Sequence, residues 1–386
     1  MSVTYPAGFR AAAANMKLKD SGTPDMALVV NDGRQPAAAA VFTANRCKAN
    51  PVLYSQQALE AGQGLAVVLN SGGANCFTGD YGYETSRLTA EATATGLGMN
   101  THDVLVCSTG LIGVGGADFR QKVLTGATRL AATATATPEA GAHAAEAILT
   151  TDTRAKTTTL QRGSVRIGAM AKGAGMLAPG LATMLVVITT DAVLSSAQAD
   201  TCLRQACAAS FDRLDTDGCM STNDTVILMC SGESGHSPNP QEFTQDLTVV
   251  CTDLAEALMR DAEGAKHYVI ITTCGAATEE EAVEVSRAVA RSALLKTAIY
   301  GEDPNWGRVV AQVGTTRAQF DPQNIDVSFN GVMVCEASAP AEPPSAVTFS
   351  PEVNITINLH AGDASASVWT TDLTHDYVTE NSVYST

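Results

Sequence analysis

The chain has 386 residues, too long for one average domain, so two substantial lobes are the expectation. Hydrophobic residues make up 45% and aromatic residues only 5%, which points to a core of Ala, Val, Leu and Ile in an α/β protein. A formal charge of −16 argues against a nucleic-acid partner and against docking on anionic membranes, since both need a basic surface.

In chain order, apolar runs predict strands at MALVV (26–30), AAVFT (39–43), LAVVLN (65–70) and DVLVCS (103–108). Ala-rich stretches at 84–97 and 138–149 predict helices, and TMLVVITT (183–190) predicts a further strand. Ser195 and Gln198 have the spacing of a capping box, opening a helix expected to run to about Leu214. After the strand TVILMC (225–230), Phe243, Leu247, Val250, Leu254 and Leu258 form an apolar stripe at helical spacing that ends in DAEG. HYVIITT (267–273) is another strand, and Thr278 with Glu281 caps a helix whose inward positions are Ala282, Val285, Val289 and Ala293. The late segments IDVSFNG, VNITINLH and ASVWTTDL alternate like half-buried antiparallel strands, with ASAPAEPPSA (337–346) as a surface loop between them.

Ten cysteines are scattered without a Cys-x-x-Cys pair, most of them in apolar runs, as expected of buried free thiols. The six histidines show no His-x-His or His-x-x-x-His spacing, so no metal site is expected. The N-terminal twenty residues lack an apolar signal region and no stretch approaches a membrane span, so the cytoplasm is the expected compartment.

The segment AKGAGMLAPGLATML (171–185) crowds three glycines and a proline just before a strand. Gly173-x-Gly175-x-x-Ala178 matches a dinucleotide fingerprint, which needs a helix to follow; Pro179 and Gly180 break a helix and a β-branched strand comes next. Two readings stay open on the residues alone. One is a plain turn feeding a buried strand. In the other, Thr183 is a nucleophile whose base is its own α-amine, freed by attack of its hydroxyl on the Ala182 carbonyl. Such an amine has a reference pKa of about 7.7–8.0 and can accept the hydroxyl proton near neutral pH.

KGAGMLAPGLATML closely resembles the self-cleavage motif of the ornithine acetyltransferases, or glutamate N-acetyltransferases, of arginine biosynthesis. Further matches follow in order along nearly the whole chain: PDMALVVNDG, AAAVFTANR, VLNSGGANCFTG, VCSTGLIG, ILTTDT, FDRLDTDG, STNDTVILMCSG, DAEGAKH, LLKTAIYGEDPNWGRV, VSFNG and ENSVYST. The resemblance implies an α/β fold of layered mixed sheets between helices, shared with DmpA-like self-cleaving enzymes. It implies cleavage between Ala182 and Thr183 into an α chain (1–182) and a β chain (183–386), usually assembled as α2β2, with no metal or organic cofactor. Thr183 would take acetyl from N2-acetylornithine and pass it to glutamate, and some family members also use acetyl-CoA.

The resemblance also assigns roles. Thr109 and Gly110 match the oxyanion pair, placed where a hydroxyl and a turn amide can meet a developing alkoxide. Lys172 matches a substrate lysine suited to an α-carboxylate. Glu263 matches a substrate glutamate suited to an ammonium; read as the end of a helix just before Gly264, it would oppose the helix dipole, which favours another use. Thr150 matches a further substrate contact, with Thr151 one position away, and Asn381 and Thr386 match a C-terminal pair that reaches the site. NSGGAN (70–75), Cys219-Met220 and VGGADF depart from common family patterns without touching Thr183, Lys172 or Glu263. Two other functions remain for comparison: an amidase or aminopeptidase in which water deacylates the threonine, and a non-catalytic binding protein that keeps the fold.

Overall fold

The computed structural model describes residues 2–176 and 184–383. In chain order its strands are β1 (Phe9–Ala14), β2 (Met26–Asn31), β3 (Ala37–Phe42), β4 (Ala66–Ser71), β5 (Val104–Thr109), β6 (Lys156–Arg162), β7 (Val165–Lys172), β8 (Leu185–Thr190), β9 (Thr225–Cys230), β10 (Tyr268–Ala276), β11 (Asp326–Phe329), β12 (Val332–Glu336), β13 (Ala339–Pro340), β14 (Glu352–Asn358) and β15 (Ala364–Thr371). The helices are α1 (Asn50–Ala61), α2 (Gly79–Leu97), α3 (Ala117–Thr133), α4 (Pro138–Ala147), α5 (Ser196–Ala209), α6 (Pro240–Met259), α7 (Glu279–Ala290), α8 (Ala293–Tyr300), α9 (Trp306–Val313) and α10 (His375–Val383).

Three sheets result, in the orders β1-β2-β4-β5, β3-β9-β8-β7-β6 and β13-β12-β11-β14-β10-β15. Each is mixed, because each holds one parallel pair: β4 with β5, β8 with β9, and β10 with β14. The expected layered α/β fold with mixed sheets is the observed one.

The first two sheets lie face to face. Leu185 and Val187 of β8 join the core formed by β1, β2, β4 and β5, while Val186 and Ile188 join a second core with α5 and α6. Side chains alternate across a strand, so burial on both faces demands an unbroken apolar run, as in LVVITT. The third sheet packs with α7, α8 and α9 around a core of its own. Phe243, Leu247, Val250, Leu254 and Leu258 are all inward on α6, each contributing about 1.5–3 kcal/mol through burial of its apolar surface.

Ser195 and Gln198 form the expected capping box at the start of α5. That helix stops at Ala209, short of Leu214: the Ser210 hydroxyl donates to the Ala206 carbonyl at 2.6 Å and its backbone leaves the helical region, so only a short 3-10 turn follows. The segment 337–346 is largely exposed, as expected, but lends the two-residue β13 to the edge of the third sheet. Helices α1, α3, α8, α9 and α10 and strands β1, β6, β7 and β12 add to the elements expected from sequence. No described helix is long and apolar enough to cross a membrane.

Candidate active site

Strand pairing brings distant parts of the sequence together. Lys172, the last residue of β7, pairs with Leu185 at the start of β8, so the glycine-rich segment leaves and re-enters the sheet at neighbouring positions. Parallel pairing then places Leu185 beside Thr225 of β9, where Asp224 accepts the Met184 N–H at 3.1 Å. Ala182, Thr183 and Thr386 lie outside the described residues.

A cavity of about 110 Å³ is lined by Thr109, Gly110, Thr150, Thr151, Lys172, Ala174, Gly175, Met176, Glu263 and Asn381. Every expected site residue within the described part of the chain is in that wall. A neighbouring hollow of about 440 Å³ shares Thr150, Thr151, Glu263 and Asn381 with it.

Thr109 ends β5, and its carbonyl accepts the N–H groups of Gly72 and Gly73 at 2.9 and 3.0 Å. Gly110 follows at φ +124°, where a Cβ would lie 2.5 Å from the Gly73 nitrogen. The glycine pair in NSGGAN therefore fits directly beneath the Thr109-Gly110 turn. Asn223 locks the same segment from the other side, donating to the Ser108 carbonyl at 2.8 Å and the Ala74 carbonyl at 2.7 Å.

Lys172 is 1% exposed, and its ammonium donates to Thr150 Oγ1 at 3.2 Å. Burial pushes its pKa down; the fields of Asp152, Asp224 and Glu263 oppose that shift, while Lys156 adds to it. Burial would raise the Asp152 carboxyl, but Lys172, Lys156 and the Gly173 N–H outweigh it and hold that carboxyl below its ordinary range. Asp224 is buried without such compensation, and its carboxyl is pushed well above the usual value. Its Met184 and Ser221 hydrogen bonds and Lys172 offset only part of that cost.

Glu263 is not a helix-terminal residue. Helix α6 ends at Met259 with Arg260 as its cap, and the chain turns before Glu263, so the helix-dipole argument does not apply. What fixes Glu263 is its N–H, which donates to the Ala174 carbonyl at 3.0 Å and docks the DAEG turn on the glycine-rich segment. Gly264 has φ +60°, and a Cβ there would lie 2.2 Å from the Tyr377 nitrogen. Its carbonyl accepts the Thr374 hydroxyl at 2.5 Å. This close approach seats α10 and carries Asn381 to the rim of the cavity.

Asp152, Lys156, Asn223, Asp224 and Asp261 are the polar residues of this neighbourhood that sequence reasoning did not single out. Asp152 and Lys156 stand beside Thr150 at a four-residue spacing, and Asp224 precedes an apolar strand, but their complete burial has no sequence signature. Among the described residues no group of three or more His, Cys, Asp or Glu side chains is arranged to hold a metal ion. The cavity thus brings a buried lysine hydrogen-bonded to a threonine, a carboxylate, and the Thr109-Gly110 turn within one small volume.

The model of the ArgJ family matches residues 10–386. A relative from Thermobifida fusca, named arginine biosynthesis bifunctional protein ArgJ, is 55% identical over 387 residues and is aligned over 100% of both chains. One of the same name from Streptomyces coelicolor is 53% identical over 386 residues, again covering 100% of both. A solved structure described as ornithine acetyltransferase complexed with ornithine, from Mycobacterium tuberculosis, is 44% identical with a TM-score of 0.45; the match covers 48% of this chain and 96% of that one. With a family match over nearly the whole chain and relatives more than half identical from end to end, the chain belongs to the ArgJ family and is an acyltransferase.

Proposed function

We propose that the chain is a glutamate N-acetyltransferase of arginine biosynthesis, moving acetyl from N2-acetyl-L-ornithine to L-glutamate through an acetyl-Thr183 intermediate. The observation that carries this reading is the joint placement of Lys172, Thr150, Glu263, Thr109 and Gly110 around one cavity. An acylated amino acid offers a carboxylate to Lys172 and Thr150, and ornithine adds a side-chain ammonium for Glu263. Asn381, and Thr386 at the C-terminus, complete the substrate contacts in this reading.

The reaction begins with self-cleavage. The Thr183 hydroxyl adds to the Ala182 carbonyl carbon, and the C–N bond breaks as the amine leaves with a proton. Water then hydrolyses the resulting ester, giving an Ala182 carboxylate and a Thr183 with a free α-amine and hydroxyl. The α chain (1–182) and β chain (183–386) stay together, as an α2β2 assembly in the cytoplasm.

In each turnover the α-amine accepts the hydroxyl proton while Oγ1 attacks the acetyl carbon. The oxyanion that forms is stabilised by the Thr109 hydroxyl and the Gly110 N–H. Its collapse breaks the acetyl C–N bond, and the ornithine amine leaves with the proton held on the Thr183 amine. Glutamate then attacks acetyl-Thr183 through its own amine and the same steps run in reverse. No metal or organic cofactor takes part. Acetyl-CoA serves as a second donor, which fits the word bifunctional in the relatives' names.

Intact-mass measurement on the folded protein tests the first step and is expected to give two fragments with ends at Ala182 and Thr183. Thr183→Ala is expected to give one uncleaved chain without transfer, and Thr183→Ser to retain part of both activities. A folded wild-type chain of full length would overturn the nucleophile. Hydrolysis of acetylornithine without acetylglutamate formation would instead favour an amidase.

A further inference from the structure

Beneath the cavity wall lies a buried charge cluster that no catalytic step uses. Lys156 opens β6 with its side chain 1% exposed, and its ammonium bridges the carboxylates of Asp152 and Asp261, which are 0% and 5% exposed. Two opposed charges on a buried cation make this a closed network rather than a solvated surface pair.

The remaining bonds of the two carboxylates all go to segments that carry the substrate-facing groups. Asp152 Oδ2 accepts the Thr150 N–H at 3.1 Å, and Asp152 Oδ1 accepts the Gly173 N–H at 2.7 Å, directly after Lys172. Asp261 Oδ2 accepts the Thr153 N–H at 3.0 Å, its other oxygen accepts the Thr153 hydroxyl, and Glu263 follows two residues along the chain. Thr150 and Glu263 lie in the connections after α4 and after α6, and Lys172 is the last residue of β7. The Asp152–Lys156–Asp261 bridge is a charged link that ties these three segments to one another.

We propose that Lys156 is a positioning residue, which sets the distance between the carboxylate-binding end of the site (Lys172 with Thr150) and the ammonium-binding end (Glu263). This rests on the functional reading above. Lys156 also protects the charge of the site: Asp152 is shared between Lys156 and Lys172, and with Lys156 present the two lysines balance the two aspartates. Without it, Asp261 loses its ion-pair partner and Asp152 is left to Lys172 alone, so that Lys172 is drawn toward Asp152 and away from the substrate carboxylate. Neither charge touches the reacting atoms, so the bridge governs binding of the substrate's two ends rather than bond making at Thr183.

Calorimetric titration with L-ornithine, together with steady-state acetyl transfer, tests the role on the full, self-processed protein. Asp261→Asn keeps the shape and most hydrogen bonds of the side chain and is the primary variant; Lys156→Met is the second. Each is expected to weaken ornithine binding about tenfold and to raise KM for acetylornithine about as much, with kcat within about threefold of wild type and the unfolding midpoint of Asp261→Asn nearly unchanged. Should Lys156→Met not fold, Asp261→Asn decides alone. Unaltered ornithine affinity in folded Asp261→Asn overturns the positioning role, as does a fall in kcat at constant KM. A wild-type chain that binds no ornithine overturns the functional reading itself, a different result from a wild type that binds and a variant that binds equally well.

Discussion

The carboxylate of Glu263 rests against the bare Cα of Gly175: a methyl group built on that glycine would lie 2.5 Å from Oε2 and 2.8 Å from Oε1. The Glu263 N–H meanwhile donates to the carbonyl of the preceding Ala174. The glycine-rich segment is thus a mould for the Glu263 carboxylate as well as a place for the chain to bend. Its glycines serve after the proposed cleavage as well as during it.

Gly175→Ala is expected to displace Glu263, since a side chain atom under 3 Å from both carboxylate oxygens must move something. Overpacking of this kind costs about 1–3 kcal/mol. The expected result is a KM for acetylornithine raised about tenfold or more, with self-cleavage retained. Steady-state kinetics beside an intact-mass measurement checks both halves.

Glu263→Gln and Lys172→Met should separate the two ends of the substrate. A hydrogen bond to a charged group contributes about 1.5–3 kcal/mol, so each change should raise KM for acetylornithine by roughly 10- to 100-fold. Glutamate has no side-chain ammonium, so Glu263→Gln is expected to disturb the donor half-reaction more than the acceptor half-reaction. Lys172→Met should impair both, because both substrates present an α-carboxylate. Measuring each half-reaction separately distinguishes the two patterns, and equal effects of Glu263→Gln on donor and acceptor would count against its pairing with an ammonium.

Asn223→Ala removes the donor to the buried Ser108 and Ala74 carbonyls, next to the Thr109-Gly110 segment proposed to hold the oxyanion. An unsatisfied buried polar group costs about 1–3 kcal/mol. A lower unfolding midpoint and a kcat reduced at least tenfold, with KM changed much less, are the expected outcome. Normal kcat in the variant would show that Thr109 and Gly110 hold their geometry without this support.

Lys296, on α8, has its ammonium buried against the Thr216 carbonyl and the Thr370 hydroxyl, and burial lowers its pKa to about 8 despite the fields of Asp217, Asp215 and Asp372. The unfolded lysine titrates near 10.4, at about the model-peptide value. Below pH 8 both states hold the proton and the burial penalty is fully present. Between pH 8 and about 10.4 the folded state has lost its proton while the unfolded state keeps it, so this group's contribution to stability rises with pH by up to about 1.4 kcal/mol per unit. The stability of wild type relative to Lys296→Met is therefore expected to increase between pH 7.5 and 9.5, as read from urea midpoints. A difference independent of pH would place the folded pKa of Lys296 near its ordinary value.

Local patterns in the sequence were legible where one element fixes its own shape. The alternation or continuity of apolar residues located most strands near the site, and Ser195 with Gln198 marked the start of α5. The same logic misled at Glu263, because the apolar stripe of α6 runs almost to DAEG while the backbone leaves the helix at Arg260. A stripe marks which residues are buried; it says little about where the last hydrogen bond falls.

By itself the sequence determined the family and the residues expected to face substrate, since ordered motifs such as STG, KGAG and DAEG survive translation into three dimensions one residue at a time. Only the tertiary structure decided what stands behind them. Lys156 could have been an exposed lysine and Asn223 an ordinary turn residue; strand pairing and helix packing buried both, and each found partners there, Lys156 in Asp152 and Asp261 and Asn223 in the Ser108 and Ala74 carbonyls. That pairing requirement comes from desolvation, which depends on what the rest of the chain places around a group, and so is not written at any one position.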